Sequence, residues 1–298
     1  MFNEFLYKVL NEKIDSQFVQ PKRLIDETTK QLVPANPAQL FTFDGNEYKR
    51  LFVMGDLHGK YDKAIDVLSQ IDIQDDDLLI MLGDYTDRGR QNIKCENLML
   101  QLYKQDNVRC LMANHELMLI EHMMIMAHRV VKKILKLKEL DALTDEQWDI
   151  IIDNMKNFTY DGDIYHFNGG SATLDEVNES NIGLFKQYLK TIVKLPKKIQ
   201  ITAGDKDYCI VHAGINPKFD LSEQNINDLL WIRESFFNHY NGDMVIVIGH
   251  TPVQTIFDDN IPHFRNNIIF NDTGSFRPDG KITITEVLSA NYWQSSSM

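Results

Sequence analysis

Five short apolar runs end at Asp, His or Asn within a few residues. They are Leu51–Met54, Leu78–Leu82, Val108–Met112, Tyr208–Val211 and Val245–Ile248. Runs this short, without polar alternation, read as strands covered on both faces. A sheet of such strands presents ligand-binding groups in the loops past its carboxyl edge. About thirty residues separate Asp56 from Asp84 and Asp84 from Asn114, the length of a strand–helix–strand unit. The spacers Lys60–Gln70 and Asn92–Gln105 carry helical apolar spacing. The expected class is therefore α/β, with hard side chains delivered to one sheet edge.

The gap from Asn114 to His212 is too long for one crossover. It holds a Met-rich helical stretch, Leu117–Leu140, and a second helix announced by the Thr144/Gln147 capping box. We read a helical cap over about residues 117–165, with Met118, Met123, Met124 and Met126 as packing and Lys132–Lys138 as a solvated face. Residues 1–48 read as an amphipathic helix (Met1–Gln17), a Pro-punctuated connector and an edge strand, Phe41–Tyr48, with a turn at Asp44-Gly45. The main domain is expected over 49–290. Within it, Ile268–Phe270 and Lys281–Val287 read as antiparallel strands closing a second sheet; 291–298 reads as a tail, frayed over Gln294–Met298.

A net charge of −12 over 298 residues argues against a general nucleic-acid surface, which needs a basic footprint. Cys95, Cys110 and Cys209 are too few and too scattered for a disulfide framework. No apolar stretch reaches the ~20 residues of a membrane span, and the start does not resemble a signal peptide. A cytoplasmic protein without a membrane partner is expected.

Asp56, His58, Asp84, Asn114, His212 and His250 form a mixed nitrogen and oxygen donor set at the strand ends. That chemistry suits Mn²⁺, Fe or Zn²⁺ better than Ca²⁺ or a thiolate-held structural zinc. Six donors exceed what one ion needs, and two ions about 3.5–4 Å apart that share a carboxylate would use them all.

The motifs Gly55-Asp56-Leu57-His58-Gly59, Gly83-Asp84-Tyr85-Thr86-Asp87-Arg88-Gly89, Asn114-His115-Glu116, His212-Ala213-Gly214 and Gly249-His250-Thr251-Pro252 resemble the signature of the calcineurin-like metallophosphoesterases. More narrowly they resemble the phosphoprotein phosphatase family of serine/threonine phosphatases, including bacterial and phage members. The resemblance spans about residues 51–287. It implies a four-layer α-β-β-α sandwich of two mixed sheets with a helical cap insertion. By the same resemblance, Asp56 and His58 hold one metal, Asp84 bridges, and Asn114, His212 and His250 hold the other. His115 is the implied general acid, oriented by Asp87, and Arg88 is an implied phosphate ligand. Trp231-Ile232-Arg233 resembles the segment that carries a second such arginine.

The implied cofactor is two divalent ions, Mn²⁺ first, with Fe or Zn²⁺ as alternatives. The implied reaction is serine/threonine protein dephosphorylation, by direct attack of a metal-bridging hydroxide on phosphorus. The alternative is a symmetrical dinucleoside-tetraphosphate hydrolase or another nucleotide phosphoesterase. Expected partners are accordingly a phosphoprotein or phosphopeptide, or a nucleotide polyphosphate. One position departs from the pattern, since the family's usual Gly before Asn-His-Glu is Ala113 here. His122, His128, His166, His239 and His263 fall outside the strand-end pattern and read as surface or cap residues. Asn168-Gly169-Gly170 resembles a segment of bacterial members that could bring backbone near the substrate; a simple turn is the alternative reading.

Overall fold

The computed structural model describes residues 41–44, 47–131, 137–160 and 163–296. Its strands are β1 (Phe41–Asp44), β2 (Leu51–Met54), β3 (Leu78–Met81), β4 (Val108–Cys110), β5 (Lys198–Ala203), β6 (Lys206–Val211), β7 (Val245–Ile248), β8 (His263–Arg265), β9 (Ile268–Phe270), β10 (Thr283–Glu286) and β11 (Asn291–Gln294). They form a six-stranded sheet ordered β1-β5-β6-β7-β9-β8 and a five-stranded sheet ordered β11-β10-β2-β3-β4. Both sheets mix parallel and antiparallel pairs. The fold is the expected α/β arrangement of two mixed sheets with helices.

Apolar alternation inside the runs shows why they carry no polar face. Leu51, Val53, Leu78, Ile80 and Leu82 pack in one cluster with Ile199, Ile201, Tyr208, Ile210, Val245 and Val247, which is the contact between the two sheets. The intervening Phe52, Met54, Leu79, Met81, Cys209, Ile246 and Ile248 pack with the helices in a second cluster. Strands β2, β3 and β7 are therefore buried on both faces. The parallel pairs β2–β3 and β3–β4 are bridged by α1 (Tyr61–Ser69) and α2 (Asn92–Tyr103).

Three expectations need correction. The five runs do not share one sheet edge: β2, β3 and β4 lie in one sheet, β6 and β7 in the other. Ile268–Phe270 pairs antiparallel with β8, joined through Asn266-Asn267, but parallel with β7 on its other side. Both asparagines have positive φ (52° and 56°), as a two-residue hairpin turn requires. Strand β10 is antiparallel as expected, pairing with β2 on one side and β11 on the other, but it lies in the five-stranded sheet and not with β9. Residues 291–296 of the expected tail are structured: Trp293 packs edge-on against Phe52 and Ser295 is buried. Strand β1 stands at a sheet edge as expected. The Met1–Gln17 helix, the connector, the Asp44-Gly45 turn and most of the lysine run lie outside the described residues.

The long insertion contains α3 (Asn114–Val131), α4 (Asp145–Asn157), α5 (Ile164–Phe167), α6 (Ser171–Glu176) and α7 (Ile182–Ile192). The Thr144 capping box is formed, with Gln147 N donating to Thr144 Oγ1 (3.2 Å) and Thr144 N to Gln147 Oε1 (2.9 Å). Met118, Met123 and Met126 are buried with Trp148, Ile151 and Ile152, so they pack the cap as expected. All three cysteines are buried free thiols. Among the described residues, no helix is long and apolar enough to cross a membrane.

Candidate active site

All ten candidate residues gather where the strand ends of the two sheets meet. Asp84 lies at the centre. Its Oδ2 is 3.4 Å from His58 Nε2, and its Oδ1 is 3.6 Å from His212 Nε2. Ligand atoms of Asp56, Asp84 and His212, and those of His58, Asp84 and His115, lie within 4.8 Å of one another. Asn114 Oδ1 is 2.7 Å from His212 Nε2 and 3.0 Å from His250 Nδ1. Seven donor side chains, Asp56, His58, Asp84, Asn114, His115, His212 and His250, are buried here.

Local backbone strain aims them. Among the described residues, eight other than glycine have positive φ, and five of them are His58, Asp84, Asp87, Arg88 and His250. Such conformations cost about 1 kcal/mol or more each and cluster at functional sites. Glu116 braces the central loop: its carboxylate accepts from the backbone N–H groups of Asp84 (3.0 Å), Tyr85 (3.1 Å) and Ala113 (3.1 Å), and from the Tyr188 hydroxyl (3.1 Å). Ala113 is not among the residues of positive φ. Its methyl packs against Gly83, where an added Cβ would lie only 2.5 Å away. The departure from glycine at 113 is therefore accommodated by glycine at 83.

Electrostatics show that these donors fit divalent cations. His58 Nδ1 donates to Thr86 O (3.2 Å) and His212 Nδ1 to Leu82 O (3.0 Å), which turns an Nε2 lone pair of each inward. Burial holds His212 down at about 4 and His58 well below the ordinary range, so both are neutral. His212 Nε2 then faces Asn114 Oδ1 with no proton to share. Asp56 Oδ1 is likewise buried without a partner. Burial, with Asp272 and Asp84 nearby, pushes the Asp56 carboxyl well up, and burial raises Asp272 to about 6. Against its own burial, Asp84 is held far below the carboxylate range by the positive groups beside it, His115 first and Arg88 among them. Converging lone pairs and crowded carboxyls of this kind are what a cation pair would satisfy.

Beside this cluster, His115 Nδ1 donates to Asp87 Oδ2 at 2.7 Å. Arg88, exposed at the rim, donates to His58 Nε2 (3.0 Å) and His115 Nε2 (2.9 Å), with its guanidinium over the Phe276 ring (4.4 Å). Arg233 stands on the opposite flank, donating to His250 O (3.1 Å) and Thr251 Oγ1 (2.8 Å). Burial works against the charge on His115, but Asp84 and Asp87 outweigh it and raise its pKa.

Several contributors lay outside sequence reasoning. Asp87 Oδ1 accepts from Tyr165 Oη (3.1 Å) and Thr173 Oγ1 (2.5 Å), both from the long insertion. Residues touching the site thus continue past 165. Asp272 and Phe276 come from the loop between β9 and β10. The expectation for Asn168-Gly169-Gly170 takes a definite form: Gly169 O accepts from Arg88 N (3.2 Å), and Gly170 lies under the Tyr165 ring, where a Cβ would be 2.5 Å from it. The segment therefore supports Arg88 and Tyr165 from behind. Tyr165→Phe would remove one hydrogen bond to Asp87, worth about 1 kcal/mol. We expect a loss in kcat of about 5-fold with unchanged metal content, read by steady-state kinetics and metal analysis; loss of metal would place Tyr165 in a different role.

Comparison with known proteins agrees with this geometry. Residues 49–269 match the calcineurin-like phosphoesterase family. A Salmonella typhimurium protein named serine/threonine-protein phosphatase 2 is 28% identical over 77% of this chain and 89% of its own length. A Halalkalibacterium halodurans asymmetrical bis(5'-nucleosyl)-tetraphosphatase is 25% identical over 68% of this chain and 78% of its own. A solved structure of a provisionally assigned diadenosine tetraphosphatase superposes with a TM-score of 0.54 at 14% identity, covering 86% of this chain and 96% of its own, which shows a shared fold. This chain belongs to the calcineurin-like phosphoesterases, a family of metal-dependent phosphoric ester hydrolases.

Proposed function

We propose that this protein is a dinuclear-metal phosphomonoesterase that removes phosphate from phosphoserine and phosphothreonine in proteins. The observation that carries this reading is the placement of Asp84, with one carboxylate oxygen turned to the His58 side and the other to the His212 side. Asp56, His58 and Asp84 would hold one ion; Asp84, Asn114, His212 and His250 would hold the second, with Mn²⁺ the favoured metal. Bound there, two divalent cations supply Lewis acidity and lower the pKa of the attacking water.

The chain's own residues do the rest. Arg88 and Arg233 flank the cluster and can each engage phosphoryl oxygens bidentately, offsetting charge that develops in the transition state. Arg88 donates to His115 Nε2 in the present arrangement, which requires a bare nitrogen there. A phosphoryl group that draws Arg88 away frees that nitrogen to carry a proton, and Asp84 and Asp87 favour the resulting imidazolium. His115 then protonates the leaving alkoxide, while Asp87 fixes its ring. No cysteine nucleophile is involved, since all three thiols are buried.

Protein substrates are favoured by the Salmonella relative and by the exposure of Arg88, which leaves the phosphoryl site at an open rim. The buried free thiols fit a reducing, cytoplasmic setting. A nucleotide polyphosphate is the second reading, favoured by the tetraphosphatase relative, which is of the asymmetrical rather than the symmetrical type. With manganese-loaded protein, kcat/KM for phosphoserine peptides should exceed that for diadenosine tetraphosphate by at least 10-fold. The reverse order would assign the nucleotide substrate.

A further inference from the structure

A second group of metal-seeking side chains lies in the cap, apart from the site above. His122 comes from the middle of α3, Asp163 is the residue before α5, and His166 lies within α5. Their ligand atoms lie within 4.8 Å of one another. Asp163 Oδ2 is 3.3 Å from His122 Nδ1 and 2.9 Å from His166 Nδ1. The edges of a tetrahedral Zn²⁺ site, with bonds near 2.0–2.1 Å, are about 3.3 Å.

One buried atom of this cluster has no hydrogen-bond partner. His122 Nε2 lies 3.1 Å from Met155 O, an acceptor, so the ring proton sits there. Nδ1 is then a lone pair, buried and without a hydrogen-bond partner, and it lies 3.3 Å from Asp163 Oδ2. His122 is 0% exposed, and burial lowers its basicity. Two acceptors this close in a buried place are costly unless a cation lies between them. His166 Nδ1 is within hydrogen-bond distance of the same carboxylate oxygen (2.9 Å), a contact that an ion would replace, and its side chain is 16% exposed, so solvent can reach an open coordination position.

We infer that His122 Nδ1, Asp163 Oδ2 and His166 Nδ1 form a binding site for a single Zn²⁺-class cation, separate from the dinuclear centre. Two imidazoles and a carboxylate with one open position match the three-ligand pattern of such sites. The surroundings suggest what the ion does. Tyr165 precedes His166 and its hydroxyl donates to Asp87, the partner of His115. An ion clamping α5 to α3 holds Tyr165 in register, so the cap site acts on the candidate active site through one side chain.

The test counts metal on the full-length chain. Wild type, His166→Gln and Asp163→Asn are dialysed against buffered Zn²⁺, the folded fraction is recovered by gel filtration, and zinc per chain is measured. Wild type should carry one equivalent more than either variant, with that equivalent weakened at least about 100-fold in His166→Gln. The same difference should persist in an Asp84→Asn background, which makes the result independent of the dinuclear reading. His166 is partly exposed, so its replacement is the arbiter if Asp163→Asn folds poorly. Equal zinc in wild type and His166→Gln would overturn the site; His122 would then be an imidazolium paired with Asp163.

Discussion

Asp84→Asn should abolish phosphatase activity, by about 10³-fold or more, and should release bound metal. The reason is positional. Each Asp84 oxygen faces a different half of the cluster, towards His58 on one side and His212 on the other. An amide keeps the shape of the side chain, and its oxygen can still accept from His115 N, as Oδ1 does at 3.2 Å. The amide nitrogen, however, offers no lone pair to a cation. The loss is equivalent to several kcal/mol of transition-state stabilisation, the scale expected for metal-ion catalysis. The fold should survive, because Glu116 still braces the loop through the Asp84 and Tyr85 backbone. Metal-free wild type and variant should therefore melt alike, while only wild type gains stability on adding Mn²⁺. Metal analysis, thermal melts and p-nitrophenyl phosphate hydrolysis together decide the matter. An Asp84→Asn protein with two bound metals and full turnover would remove the bridging role.

The strand ends were legible because chemistry and periodicity coincide there. A continuous run such as Val245–Ile248 must be covered on both faces, and a His two residues later has few structural reasons to be there. What the pattern could not reveal was the partition of the runs between two sheets. Leu51, Val53, Tyr208 and Ile210 meet across the sheet contact, and nothing in their local sequence distinguishes that contact from a helix layer. Strand β9 shows the same limit, since a three-residue run carries no record of whether its neighbour is parallel. At the site, motif residues were legible and their supports were not. Tyr165 and Thr173 reach Asp87 from 78 and 86 residues away, through helices whose packing follows from tertiary burial. The strained φ angles at His58, Asp84, Asp87, Arg88 and His250 fall on residues other than glycine, so no glycine marks them. His122 and His166 read as ordinary cap residues for the same reason: their shared contact, Asp163, lies far from His122 in the chain.

His115→Asn should separate substrates by their leaving groups. His115 Nδ1 is committed to Asp87 at 2.7 Å, so only Nε2 can deliver a proton. For an alkyl phosphate such as phosphoserine, the departing alkoxide is strongly basic, and losing its proton donor should cost about 10²–10⁴-fold in kcat. p-Nitrophenolate leaves as a stable anion, so its hydrolysis should fall far less. Metal content should stay unchanged, because Asp56, His58, Asp84, Asn114, His212 and His250 remain in place. Asp87→Asn should show the same selectivity in milder form and shift the alkaline limb of the pH profile. The sign follows from the causes: the Asp87 carboxylate is one of the groups that raises the His115 pKa, so without it the imidazolium persists only to lower pH. The alkaline limb should therefore move towards acid, a displacement that loss of packing alone would not produce. Equal losses on phosphoserine peptide and p-nitrophenyl phosphate would mean that His115 stabilises both transition states alike, as a charge or a ligand, and does not transfer the proton.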